Sequence, residues 1–77
     1  MKTEEFLKIL TEELELEDIV LTLDTDLSGL DEFDSLAIMT IIALVDENFN
    51  KKLTSDQLKR ITTVKSMQQL IGIENFA

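Results

Sequence analysis

Fifteen consecutive residues, Ser35 to Phe49, hold ten apolar side chains and no base, and no other stretch of the chain restricts its fold as strongly. Projected at about 100° per residue, Ile38, Ile41, Ile42, Val45 and Phe49 converge on one side of a helix, with Met39 at the edge of that stripe. The opposite side reads Leu36, Thr40, Ala43, Glu47, and it is mostly uncharged although it should face water. A helix apolar nearly all round is normally buried, and a chain of 77 residues cannot easily enclose one. The face formed by Leu36, Ala43 and Ala37 is therefore read as a docking surface. Single exposed apolar residues are also ordinary, and Leu36 could rest on the preceding loop; periodicity does not choose between the two readings.

An acidic loop, Leu30-Asp31-Glu32-Phe33-Asp34, runs straight into this helix. The carboxylate of Asp34 suits the unpaired N–H groups of a helix start, so the helix is expected over about 35–49 with Ser35 at its first position. A mid-helix serine turns its hydroxyl to a carbonyl of the preceding turn, but a helix start has no preceding turn. The hydroxyl of Ser35 is thus free for modification. The positive end of the helix dipole favours a phosphate there by about 0.3–1 kcal/mol.

The other periodic segments are shorter. Thr3 is placed to cap a helix over about 4–15, with Phe6, Leu7, Leu10 and Leu14 at helical spacing and Glu4 and Glu5 in its first turn. A loop over about 17–33 follows; Leu21, Leu23, Leu27, Leu30 and Phe33 make it too apolar for a free linker, so it should lie over the core. Thr54 and Gln57 have capping-box spacing ahead of Leu58, which signals a short helix over about 55–60. Thr63 caps a last helix over about 64–71, with Val64, Met67, Leu70 and Ile71 on one face and Gly72 as its stop. The tail 74–77 receives no assignment. The sum is one all-α domain over 1–77, a small four-helix bundle of three main antiparallel helices and one short one.

Such a chain has little chemistry of its own. It contains no cysteine and no histidine, which removes disulfides, thiolate nucleophiles and the commonest general base. Paired carboxylates can be drawn almost anywhere in so acidic a sequence, but nothing forecasts a pocket that would separate their pKa values. The net charge of −9 is divided unequally: residues 1–50 carry 14 acids against two lysines, whereas 51–77 carry five bases against two acids. Such a field repels nucleic acid and favours basic protein surfaces. Lys51, Lys52, Lys59 and Arg60 lack interleaved aromatic residues and are taken as surface charges. The opening residues have no signal-peptide character and no apolar run reaches membrane-spanning length, which points to the cytoplasm.

A calcium loop has to be weighed against these features. Asp24, Asp26 and Ser28 fall at places one, three and five of an EF-hand, with Gly29 at six. The match then fails, because Asp31 stands at the apolar eighth place and Ser35 where the bidentate Glu belongs.

Asp34-Ser35-Leu36 opening the second helix of a small acidic helical chain resembles the acyl carrier protein family, whose Asp-Ser-Leu motif bears 4′-phosphopantetheine on the serine. Asp46-Glu47-Asn48-Phe49 is similar to the Glu-Glu-x-Phe that ends the family's second helix, and Ile61-Thr62-Thr63-Val64 to the entry of its last helix. The resemblance covers nearly the whole chain. It implies that a phosphopantetheinyl transferase attaches the arm from coenzyme A to Ser35, flanked by Asp34 and Leu36, and that the arm's thiol carries acyl groups as thioesters. The carrier itself is not an enzyme. Partners would be acyl-loading and acyl-transferring enzymes with basic or apolar patches, docking on Leu36, Ala37, Thr40, Ala43, Asp46, Glu47 and Asp56, with the carrier a monomer.

One departure matters. Many fatty-acid carriers have acidic residues where this chain has Ala37 and Thr40, so electrostatic steering should be weaker and apolar contact more important. A specialised pathway is therefore expected, related to fatty acids, polyketides or surface polysaccharides. The alternatives are an aminoacyl carrier of the nonribosomal-peptide or D-alanyl type, and an unmodified helical interaction module.

Overall fold

The computed structural model describes residues 1–76, so the last residue of the expected domain, Ala77, lies outside the described residues. Four α-helices, α1 (Thr3–Glu13), α2 (Ser35–Phe49), α3 (Ser55–Arg60) and α4 (Val64–Ile71), form a small all-α bundle. Their buried side chains make a contiguous cluster in which Phe6, Leu10, Leu27, Ile41, Leu58, Met67 and Ile71 are fully or almost fully covered. Each such side chain contributes about 1.5–3 kcal/mol relative to its exposed form.

α2, α3 and α4 begin and end where the sequence places them. At α3 the Thr54 hydroxyl accepts from Gln57 N at 3.2 Å, and Gln57 Oε1 accepts from Thr54 N at 2.9 Å, completing the expected capping box. Thr63 caps α4 in the same manner through Ser66, and Gly72 ends it at φ 118°, a conformation open to glycine and costly for other residues. The helix-period reading therefore held wherever the cap partner lay within one turn.

α1 differs at both ends from the expected 4–15. It begins at Thr3, and its N-cap is Lys2, which supplies no side-chain bond. The Thr3 hydroxyl instead accepts a 3.3 Å bond from Nε2 of the buried Gln68 on α4, and so ties the two helices together. At the other end, Glu15 N bonds to Glu12 O and Leu16 N to Thr11 O, a Schellman closure with Glu15 left-handed at φ 55°. The closure turns the chain so that both Leu14 and Leu16 enter the core.

The long connection from α1 to α2 does lie over the core, as its leucines require. Leu21 and Leu27 are buried, and Leu23, Leu30 and Phe33 pack partly against the cluster. It also contains a 3-10 turn, Leu27–Gly29, that local pattern did not indicate. This turn is held from a distance: Leu27 N donates to Thr62 O at 2.6 Å and Lys65 N to Leu23 O at 3.0 Å, around an isolated bridge between Asp26 and Thr63. The tail closes the other side, with the Phe76 ring 4.9 Å from Phe6 and 5.1 Å from Phe49.

The buried face of α2 is rotated from the expected stripe. Ala37, Ile38, Ile41, Leu44 and Val45 are buried, Ile42 and Phe49 are half-buried, and Met39 is 66% exposed. α2 is covered on the Ala37–Leu44 side by α1 and the preceding loop, not only by the bundle's interior. A single-stripe projection has no means of including that second neighbour.

Candidate functional site

The start of α2 is where sequence and structure meet most closely. Asp34, in extended conformation, caps the helix: its Oδ1 accepts from Ala37 N at 2.9 Å, and its carbonyl accepts from Ile38 N at 3.0 Å. Those two bonds use two of the first-turn N–H groups. The N–H groups of Ser35 and Leu36 make no hydrogen bond among the described residues, and neither does the Ser35 hydroxyl. Ser35 is exposed, and Leu36 beside it is 71% exposed. A solvent-facing hydroxyl, two unengaged N–H donors and the positive helix end meet at one point.

The remaining expected docking residues divide. Ala43, Asp46 and Glu47 are exposed along α2, and Thr40 is half-buried, its hydroxyl donating to Leu36 O at 3.0 Å. Asp56 is exposed in the first turn of α3, the helix that packs on α2, and not on the α2 face itself. Ala37 does not belong with them. It is only 6% exposed, and it shares the lining of one cleft with Glu13 and Leu14 at the end of α1 and Glu32 of the acidic loop. In its place the structure presents Met39, one turn beyond Leu36, so the exposed apolar stripe is Leu36, Met39 and Ala43. The signal that could have found Met39 was its spacing of three from Leu36 and four from Ala43.

The acidic loop offers no convergence of ligands. Among the described residues no three acids are grouped as a metal site. Asp26 Oδ1 instead accepts from the Ser28 N–H at 3.0 Å and the Ser28 hydroxyl at 2.6 Å, capping the 3-10 turn.

Compared with models of known families, residues 4–71 match the phosphopantetheine attachment site. The chain belongs to that family. No curated protein and no solved structure gave a significant match. Members of the phosphopantetheine-attachment family are carriers and not catalysts, and their cofactor is covalently bound 4′-phosphopantetheine. Carrier domains in general meet modifying and acyl-handling enzymes. The first turn of α2 fits the group: the hydroxyl at Ser35 is free to form a phosphodiester, and the Ser35 and Leu36 N–H groups can donate to its phosphate oxygens. When bound, the arm supplies the thiol that the polypeptide, lacking cysteine, does not have. No helix among the described residues is long and apolar enough to cross a membrane.

Proposed function

We propose that Ser35 is the attachment residue of this carrier. In the transfer, the Ser35 oxygen bonds to the phosphorus of the phosphopantetheine group of coenzyme A, adenosine 3′,5′-bisphosphate leaves, and the hydroxyl proton passes to the transferase or solvent. The observation that supports this assignment is the unengaged, exposed hydroxyl beside two unengaged backbone donors at the N-terminus of α2. Asp34 holds that turn open by taking Ala37 N, and Leu36 presents an apolar side chain beside the attachment point. Fragment-ion mapping of the modified protein should put the added mass on Ser35; finding it on Ser28, Ser55 or Ser66 would overturn the assignment.

The carrier domain spans 1–77 and acts as a cytoplasmic monomer. Its partners dock along Leu36, Met39, Thr40 and Ala43, with Asp46 and Glu47 at one end and Asp56 on α3. No base lies on α2, and its acids, Asp46 and Glu47, stand only at its C-terminal end, so a partner finds acidic contacts there and hydrophobic contact along the rest. That division supports a carrier for a dedicated pathway in place of general fatty-acid elongation. Holo-protein offered to a standard fatty-acid synthase set should be elongated far more slowly than that system's own carrier. Equal rates would remove the specialised pathway. Efficient loading with an amino acid by an adenylating enzyme would replace the acyl carrier with the aminoacyl type.

A further inference from the structure

Resting on Ser35 as the attachment residue and on docking along α2, we propose that Met39 is an oxidation site that governs access to that serine. Of the three methionines, Met67 is fully buried, Met1 is half-buried and Met39 is 66% exposed. Met39 follows Ser35 by four residues in α2, so the two side chains share a face of the helix, with Cβ atoms about 5–6 Å apart. A methionine in a helix leans back toward the N-terminus, which carries this thioether toward the exposed Ser35 hydroxyl. From Ser35 to Val45 the helix has no charged side chain, so a partner grips this stretch by apolar contact. A protein interface covers roughly 800 Å² of each partner, far more than one helical turn. An enzyme that reaches Ser35 therefore also covers Met39.

The reagent is hydrogen peroxide. A lone pair of the Met39 sulfur attacks one peroxide oxygen, an S–O bond forms and the O–O bond breaks. The proton of the attacked oxygen passes to the departing hydroxide, which leaves as water; the sulfur is oxidised and the peroxide reduced. The product is a polar, chiral sulfoxide that dedicated reductases convert back to the thioether. Its oxygen must be stripped of water when a partner closes over the apolar stretch of α2, and that cost weakens docking. The core is not disturbed, because the Met39 side chain projects to solvent whereas Met67, which does pack in the core, is closed to the oxidant. Oxidation thus withdraws the carrier from its partners without unfolding it, and reduction returns it.

In the test, apo-protein is treated with hydrogen peroxide, the oxidant is destroyed with catalase, and only then are coenzyme A and the transferase added, so that no thiol meets peroxide. Peptide mapping should place the first added oxygen on Met39, ahead of Met1, with Met67 unmodified. The oxidised protein should keep its melting temperature. Its KM for phosphopantetheine transfer should rise about fivefold or more with kcat unchanged, as on loss of a well-packed interface contact. Reductases for both sulfoxide epimers should restore the original KM. Met39→Leu, which keeps the apolar contact without the sulfur, should show the untreated KM before and after peroxide. Oxygen placed first on Met1 or Met67, an unchanged KM with Met39 oxidised, a fall in melting temperature, or the same rise in KM for Met39→Leu would each overturn the oxidation site and leave Ser35 as the attachment residue. An untreated protein that gains no arm would overturn both.

Discussion

At Asp34 and Ser35, adjacent side chains divide the work of one helix start: Asp34 stabilises the turn, and Ser35 leaves its hydroxyl out of it. Asp34→Ala removes the bond to Ala37 N and should cost about 1 kcal/mol of stability in urea titration. Ser35→Ala should shift stability by no more than about 0.5 kcal/mol, since an exposed side chain without a partner is lost. A loss of several kcal/mol at Ser35 would mean that its hydroxyl serves the fold, contrary to this account. Asp34, Thr54 and Thr63 were legible in the sequence because each cap partner sits within one helical turn. Thr3 was not, because what engages it is Gln68, 65 residues away. Ala37 and Met39 exchanged places for a related reason: which side of an all-round apolar helix is covered depends on a neighbouring element that a one-helix projection omits.

The elements join by contacts of differing sequence range, and their legibility follows that range. The leucines of the long loop announced that it would pack on the core, but its 3-10 turn depends on Thr62 O receiving Leu27 N, a non-local bond no local pattern encodes. Leu27 is fully buried there, and Leu27→Ala should destabilise by about 2–5 kcal/mol, read from the midpoint of thermal or denaturant unfolding. A cost below 1 kcal/mol would show that the loop is not held on the core. The Schellman end of α1 gives a change of opposite sign. Glu15 occupies a left-handed conformation that glycine adopts freely, so Glu15→Gly should stabilise by up to about 1 kcal/mol despite the added freedom of the unfolded chain. A loss of stability on that change would point to a contact of the Glu15 side chain that outweighs its backbone strain.

Over the whole molecule the acids outnumber the bases by nine, and among the described residues no ion pair forms within 4 Å. The acidic surface is thus unpaired, at the expense of self-repulsion in the folded state. Salt screens charges over about 8 Å at physiological ionic strength, so the melting temperature should rise smoothly with sodium chloride. Calcium and magnesium at equal concentration should raise it equally. A saturable rise at micromolar calcium alone would restore the EF-hand reading of Asp24 to Gly29. A bundle that carries an arm on Ser35 must gain the arm's mass there, and intact mass reads that gain. The protein is weighed before and after incubation with coenzyme A and a broad-specificity phosphopantetheinyl transferase, beside Ser35→Ala. A gain of one phosphopantetheine by the wild type alone is the predicted result. A wild type that gains nothing, under conditions that modify a known carrier, or a Ser35→Ala variant that gains as much, would contradict it.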